Sequence, residues 1–419
     1  MSTTKNVPEI RFEKYKADWV KSDLGELIGV GSAARVHKEQ WTNHGVPFYR
    51  TSDVVSIYKD QANTQVFISY DLYEQLTNKI GKIQCGDLLI TGGGSIGIPF
   101  LVKNDAPLYF KDADLLWLKN NNKMDGHFLY TFFASRPFRN YLKSISHIGT
   151  IGHYTISQAK TTPISYCERE EQGDLGNYFQ KLDSLINLHQ QKHDKLSNLK
   201  KSMQEKMFPK AGETVPEIRF DGFSGDWDSK PLSKVASNIS DGDWIEAEHI
   251  FPNGKFRIIQ TGNIGVGEFL NNEKHAKYFH QRNFDLIKAN EIYPGDILIS
   301  RLAEPAGRAA ILPDTGFRMV TAVDVAIVRP EECYDSYFLM SYLNTAECLK
   351  VVSEGVSGTS HKRISRANLV KVNIPFPSID EQIKIGKYFE NLDGLINQHN
   401  QQITKIKNIK QACLDKMFV

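Results

Sequence analysis

Residues 126–167 contain no Asp or Glu, yet carry Arg136, Arg139, Lys143 and Lys160 together with His127, His147 and His153. A second acid-free stretch, 355–379, carries His361, Lys362, Arg363, Arg366 and Lys371. Cations without neighbouring acids hold phosphates, and phosphate contacts supply much of a protein's affinity for duplex DNA. Gly, Ser and Thr in "HIGTIGHY" and "GVSGTSHKR" let backbone amides approach phosphates closely. Any such binding is local, because residues 1–168 carry a net +3 and residues 211–380 a net −5. The same stretches also read as ordinary solvated loops, so charge alone leaves both readings open.

Catalytic signatures do not emerge. "GVGSAA" at 29–34, with Asp53 about 20 residues on, imitates a dinucleotide fingerprint, but neither a clear strand before it nor a helix after it is legible. It reads as a loop. "TGGGSIG" at 91–97 lacks the Lys of a phosphate-cradling P-loop. No Glu-x-Lys occurs, and no Asn-Pro-Pro or Asp-Pro-Pro precedes an aromatic residue, so nuclease and amino-methyltransferase chemistry find no residues. Five scattered cysteines without a C-x-x-C pair point to neither zinc nor disulfides. No apolar run reaches bilayer length and no leader is legible at the start, so a cytoplasmic protein without a membrane span is expected.

The elements that position the basic stretches are written twice. "VPEIRF" stands at 7–12 and again at 215–220, "GDLLI" at 86–90 is matched by "GDILI" at 295–299, and "LDSLIN" at 182–187 by "LDGLIN" at 392–397. "KMF" closes both halves, at 206–208 and 416–418. An offset held at 208–210 is a tandem duplication of one structural unit. Each unit opens with a globular part in which Gly-Asp turns lead into strands and segments such as "HFLYTFFASRPFRNYLKS" read as helix, giving an α+β head. The repeat fails in loops, with "TGGGSIGIPFLV" against "SRLAEPAGRAAIL".

Each unit then closes with a long helix. Leu175, Leu182, Leu185, Leu196 and Leu199 recur at helical spacing over 171–207, and Leu392, Leu395, Ile406 and Ile409 over 381–417. At a rise of 1.5 Å per residue each helix spans roughly 55 Å. Polar faces make either helix unstable alone, so the expected partner is the other helix, antiparallel, in a pseudo-two-fold coiled-coil spacer between two heads. His189, His193 and His399 fall near the seam and read as a polar register layer, not a metal site. In that layout Val7, Ile10 and Phe12, with their copies Val215, Ile218 and Phe220, pack against the helix end near "KMF". The expected divisions are 1–168, first head; 169–209, first spacer helix; 210–379, second head; 380–419, second spacer helix.

These features resemble the DNA-recognition (specificity) subunit of type I restriction–modification systems. The likeness covers essentially the whole chain, and "ISRANLVKVNIPFPSIDEQ" running into a long helix carries it most specifically. In the first half that motif is degraded to "ISYCEREEQ", with Ser165 and Cys167 where Pro375 and Pro377 stand, and a looser junction is expected there. The resemblance implies two target-recognition domains, each reading one half of a bipartite asymmetric site on double-stranded DNA. It implies helices that set the gap, with heads spaced by about one DNA turn, roughly 34 Å, or a multiple. The implied partners are two modification (methyltransferase) subunits and restriction subunits that translocate and cleave DNA, around one copy of this chain. It also implies a non-catalytic chain binding no cofactor, with S-adenosylmethionine on the methyltransferase and ATP and Mg on the restriction subunit.

Base-reading residues are not given by the family motif and follow from side-chain chemistry, because Arg, Asn, Gln, Ser and Thr in loops can read major-groove edges. The first-head candidates are Arg50, Thr51, Ser52, Ser95, Thr150 and His153, with Arg136, Arg139 and Lys143 for phosphates. The second-head candidates are Gln260, Thr261, Asn263, Arg301, Arg308, Thr359, Lys362 and Arg363. "YRTSDV" and "IQTGNI" occupy comparable places. The rival classes are a two-headed coiled-coil protein that binds protein or carbohydrate, and an enzyme with a cryptic site.

Overall fold

The computed structural model describes residues 6–145, 152–302, 304–358 and 362–419. They form two compact units, one of residues 1–190 with 401–419 and the other of residues 191–400. Both units are α+β. The first holds a four-stranded antiparallel sheet in the order Gly29–Gly31, Leu115–Lys119, Leu88–Thr91, Pro99–Leu101. The second holds its copy, Ile239–Asp241, Val325–Val328, Ile297–Ser300, Ala309–Ile311. A further four-stranded sheet in each unit contains a parallel pair, Val46–Tyr49 with Tyr109–Phe110 in the first and Phe256–Ile259 with Arg318–Thr321 in the second.

"GDLLI" and "GDILI" are strands entered by a Gly-Asp turn. Gly86 and Gly295 take φ of 89° and 96°, a conformation that favours glycine. The following Asp is buried and structural. Asp87 accepts from the Trp117 indole at 2.9 Å and the Asn120 amide at 2.8 Å, and Asp296 accepts from the Tyr293 amide at 2.8 Å. Two expected elements differ. Gly29–Gly31, read as loop, is a short strand paired with Leu115–Lys119. The helical stretch from 127 breaks into Gly126–Phe132 and Arg136–Ile145, where the Ser135 hydroxyl bonds back to the Phe132 carbonyl and Pro137 sits in a first turn.

The two long helices are Arg169–Lys206 and Ile379–Lys416. Each is shared between the units, so the compact units do not end where a head gives way to its helix. Within the first unit the helices run antiparallel, with Tyr178 facing Cys413 and Lys410 pairing with Asp183 at 2.5 Å. Within the second, Lys200 pairs with Asp393 at 2.6 Å and Phe208 stacks on Phe389 at 6.0 Å.

Leu175, Leu182 and Ile406 are buried in the core of the first unit and Leu392 in that of the second, against which Leu196 also packs. Leu185, Leu199, Leu395 and Ile409, expected in the seam, are instead 44, 38, 44 and 39% exposed. Each follows by three an inward residue (182, 196, 392 or 406). A step of four or seven stays closer to the inward direction, and positions 186, four beyond 182, and 203, seven beyond 196, continue the packed row. No helix of the described residues is long and apolar enough to cross a membrane.

The hexapeptide works through its polar residues. The Ile10 amide donates to the Lys416 carbonyl at 3.0 Å and the Ile218 amide to that of Lys206 at 2.9 Å. Glu9 meets Lys416 at 2.6 Å and Glu217 meets Lys206 at 2.8 Å. Arg11 chelates Glu171 at 2.6 and 2.7 Å, and this bond holds the Arg11 guanidinium pKa above its ordinary value. Arg219 chelates Glu381 at 2.7 and 2.8 Å. Contrary to expectation Ile10, Val215 and Ile218 are exposed. Phe12 and Phe220 reach the helices through aromatic contact, 6.0 Å from Tyr178 and from Tyr388. The core at each helix end comes from "KMF", with Phe418 against Trp19, Phe128 and Phe179, and Phe208 against Trp227, Phe338 and Phe389.

The head-to-helix junction is equally tight in both units. Gln172 donates to the Cys167 carbonyl at 2.8 Å and Gln382 to the Pro377 carbonyl at 2.9 Å. The expected loosening does not occur, because the bond is made to backbone and survives loss of the prolines.

Candidate nucleic-acid interface

In both units the strand that follows the Gly-Asp turn ends in a junction of three loops. In the first unit the Gly92 amide donates to the Asp114 carbonyl at 2.8 Å, and the Tyr154 amide to the Gly92 carbonyl at 2.8 Å. In the second the Arg301 amide donates to the Asp324 carbonyl at 2.8 Å, and the Ile364 amide to the Arg301 carbonyl at 3.0 Å. Backbone hydrogen bonds thus place Gly92, Asp114 and His153 as they place Arg301, Asp324 and Arg363. The frame repeats while the side chains change, glycine for arginine and histidine for arginine.

A fourth loop repeats likewise. The Arg50 amide donates to the Asp53 carboxylate at 2.7 Å, and the Gln260 amide to the Asn263 side chain at 3.0 Å. "YRTSDV" and "IQTGNI" are therefore the same turn, which continues as the helix Thr51–Tyr58 in one unit and the single turn Thr261–Asn263 in the other.

In the first unit Ser95 is exposed at the tip of the glycine loop. A Cβ on Gly93 would come within 3.0 Å of the Asp114 carboxylate and 3.6 Å of His153 Nδ1, so these side chains crowd that backbone. Lys111 pairs with Asp114 at 2.7 Å. Thr51 is half-buried and Ser52 exposed. Arg50 is committed internally, to both Asp53 oxygens at 2.8 and 3.0 Å and to the Thr64 carbonyl at 2.6 Å. Arg136 and Lys143 are exposed on the helix Arg136–Ile145, whereas Arg139 pairs with Asp415 of the second long helix. The acid-free segment is thus partly compensated by an acid from far along the chain. Thr150 lies outside the described residues, as does Thr359 in the second half.

In the second unit Arg301 is buried, bonded to the Val323 carbonyl at 2.5 Å and 3.5 Å from Asp241. Arg308 is spent on four carbonyls, those of Ile264, Thr261, Pro305 and Leu302, at 2.6 to 3.2 Å. Burial lowers its pKa. It stitches the 260–264 loop to the 302–305 loop. Asn263 is buried and caps its own turn, donating to the Leu270 carbonyl at 2.9 Å. Gln260 and Thr261 are half-buried, and Lys362 and Arg363 are exposed. Arg363 reaches Asp324 at 3.2 Å and Arg366 reaches Asp241 at 3.5 Å.

The junction therefore gathers Ser95 and His153 in one unit and Arg301, Lys362 and Arg363 in the other. Sequence reasoning missed Lys111, Asp114, Asp241 and Asp324, which anchor or orient these groups. The 210-residue offset that aligns "DLLWL" with "DVAIV" pointed to Asp114 and Asp324.

Comparisons with known proteins agree with the duplication. The family model for the type I restriction modification DNA specificity domain matches residues 16–198 and again 224–408. The MjaVIII type I restriction enzyme specificity subunit of Methanocaldococcus jannaschii is 23% identical over 83% of this chain and 81% of its own length. A putative MjaX specificity subunit of the same organism is 23% identical over 96% of this chain and 93% of its own. Among solved structures, the S subunit of a type I restriction–modification system from M. genitalium superposes with a TM-score of 0.58 at 16% identity, covering 99% of both chains. A chain from a structural study of type I system assembly and conformational transition gives 0.55 at 18% identity, over 96% of this chain and 98% of that one.

Proposed function

We propose that this chain, which belongs to the type I restriction modification DNA specificity family, reads a bipartite asymmetric site on double-stranded DNA, one half with each unit. The observation that carries this reading is the duplicated loop junction, in which one backbone frame presents Gly92 and His153 in one unit and Arg301 and Arg363 in the other. Equivalent frames suit two equivalent DNA half-sites, and unlike side chains suit unlike bases. Ser95, His153, Thr51 and Ser52 are the base-edge and phosphate contacts of the first unit; Gln260, Thr261, Lys362 and Arg363 are those of the second. Arg50, Arg301, Arg308 and Asn263 hold the loops that carry them.

The antiparallel long helices set the gap between half-sites and dock two modification subunits. Support comes from Leu185, Leu199, Leu395 and Ile409, large apolar side chains left exposed at matching places in the repeat. The chain is non-catalytic and works as one copy per complex in the cytoplasm. S-adenosylmethionine binds the methyltransferase partner, and ATP and Mg bind the restriction partner. The family match does not favour heads that bind protein or carbohydrate.

Methylome sequencing of a host with and without this chain tests the reading. The expected result is a two-part, gapped, asymmetric motif that loses methylation when the chain is deleted. An unchanged methylome, or loss of a single ungapped motif, contradicts it.

A further inference from the structure

The chain has five tryptophans, of which Trp19, Trp117 and Trp227 are buried and Trp41 is half-buried. Trp244 is 71% exposed. An indole offers large, rigid stacking area, and tryptophan is enriched at recognition surfaces, where one end is apolar and the other wet.

The backbone that launches Trp244 is rigid. The Gly242 amide donates to the Val325 carbonyl at 2.9 Å and the Asp243 amide to the Thr321 carbonyl at 2.9 Å. The Asp243 carboxylate accepts from the Asn290 amide at 2.6 Å. Any residue larger than glycine at 242 would put its Cβ 2.2 Å from the Ala322 carbonyl oxygen. This platform adjoins the loop junction described above. Asp241, three residues before Trp244, lies 3.5 Å from both Arg301 and Arg366. The 321–324 loop that receives Asp243 also carries Asp324, the partner of Arg363. In the sheet register Val30 faces Leu118 as Ile239 faces Val328, which sets Arg35 in the place of Trp244, so the indole is a feature of one unit alone.

We propose that Trp244 stacks on a base of the DNA half-site read by the second unit. The inference rests on the DNA-recognition reading of that loop junction. Glu246 and Glu248 are exposed on the same loop, which disfavours a phosphate contact there. Stacking needs no charge, but in a duplex a base face is free only where a step is opened by a wedging side chain or a base is turned out of the helix, so the indole acts at such an opened step.

The test uses the full chain assembled with its modification subunits, and a fluorescein-labelled duplex carrying the motif found by methylome sequencing. Binding is followed by anisotropy at several salt concentrations. Trp244→Ala weakens binding by roughly tenfold or more, and Trp244→Phe, which keeps an aromatic face, recovers most of it. The slope of log K against log salt stays unchanged in Trp244→Ala and falls by about one in Arg363→Gln, since a phosphate contact releases counterions and a stacked base does not. If Trp244→Ala binds as the parent does while Arg363→Gln weakens binding, the stacking proposal fails and the DNA face stands. If neither substitution changes binding, the DNA face itself is misassigned. If Trp244→Ala instead fails to assemble with the modification subunits, the indole is a protein contact and the proposal falls.

Discussion

Arg11 and Glu171 form a two-pronged ion pair at 2.6 and 2.7 Å, and Arg219 and Glu381, their counterparts in the second half, repeat it at 2.7 and 2.8 Å. Both carboxylates are almost wholly buried. Removing the arginine strands a buried charge, which costs about 3–5 kcal/mol, whereas removing both partners costs less. Arg11→Met is therefore expected to lower the thermal midpoint sharply, and Arg11→Met with Glu171→Leu to recover part of the loss. Thermal unfolding followed by circular dichroism checks this. Equal losses in the single and double variants would show that the pair itself matters little.

Three helical glycines predict opposite outcomes. A Cβ on Gly386 would lie 2.0 Å from the Asp335 carboxylate, which caps the helix Ser336–Leu343, and one on Gly176 would lie 2.7 Å from the Asp125 carboxylate. A Cβ on Gly394 would meet nothing within 4 Å. Gly394→Ala should stabilise the chain by up to about 1 kcal/mol through helix propensity. Gly386→Ala should destabilise it, and more than Gly176→Ala. Denaturant midpoints of the three variants decide the order.

The exposed apolar pairs on the long helices should matter for assembly and not for folding. Leu185→Asp with Leu395→Asp is expected to leave the stability within about 1 kcal/mol of the parent, as exposed substitutions generally do. The same variant should abolish co-purification of the modification subunits. Retained co-purification would place the docking surface elsewhere.

Cysteine reactivity follows burial. Cys85 and Cys333 are exposed, and Cys167, Cys348 and Cys413 are buried. Burial pushes the Cys348 thiol up to about 12 and raises that of Cys167, so neither forms thiolate near neutral pH. Iodoacetamide on the native chain should label Cys85 and Cys333 quickly and the other three only after unfolding. Mass spectrometry of the peptides reads this directly, and early labelling of Cys167 or Cys348 would contradict the packing.

The duplication, the α+β heads, the antiparallel helices and the Gly-Asp turns were legible because each leaves a periodic or repeated trace. The role of the hexapeptide was legible in place but not in cause. Arg11 stands near the start of the first head and Glu171 in the helix that follows it, 160 positions away, and nothing local tells a buried Glu from a solvated one. Leu185 and Leu199 were misplaced because spacings of three and four look alike in sequence, while on a helix they fall to opposite sides of the packed row. The commitment of Arg50, Arg301 and Arg308 to internal carbonyls and carboxylates was illegible for a similar reason. An arginine in a polar loop has the same appearance whether it faces a base or holds the loop.

Each unit is proposed to read one half of the DNA site through its own loops. Exchanging residues 1–168 for the corresponding head of another family member, then sequencing the methylome, tests it most directly. The expected result is a new base sequence in one half of the methylated motif, with the other half and the gap unchanged. A change in both halves, or in neither, would contradict it.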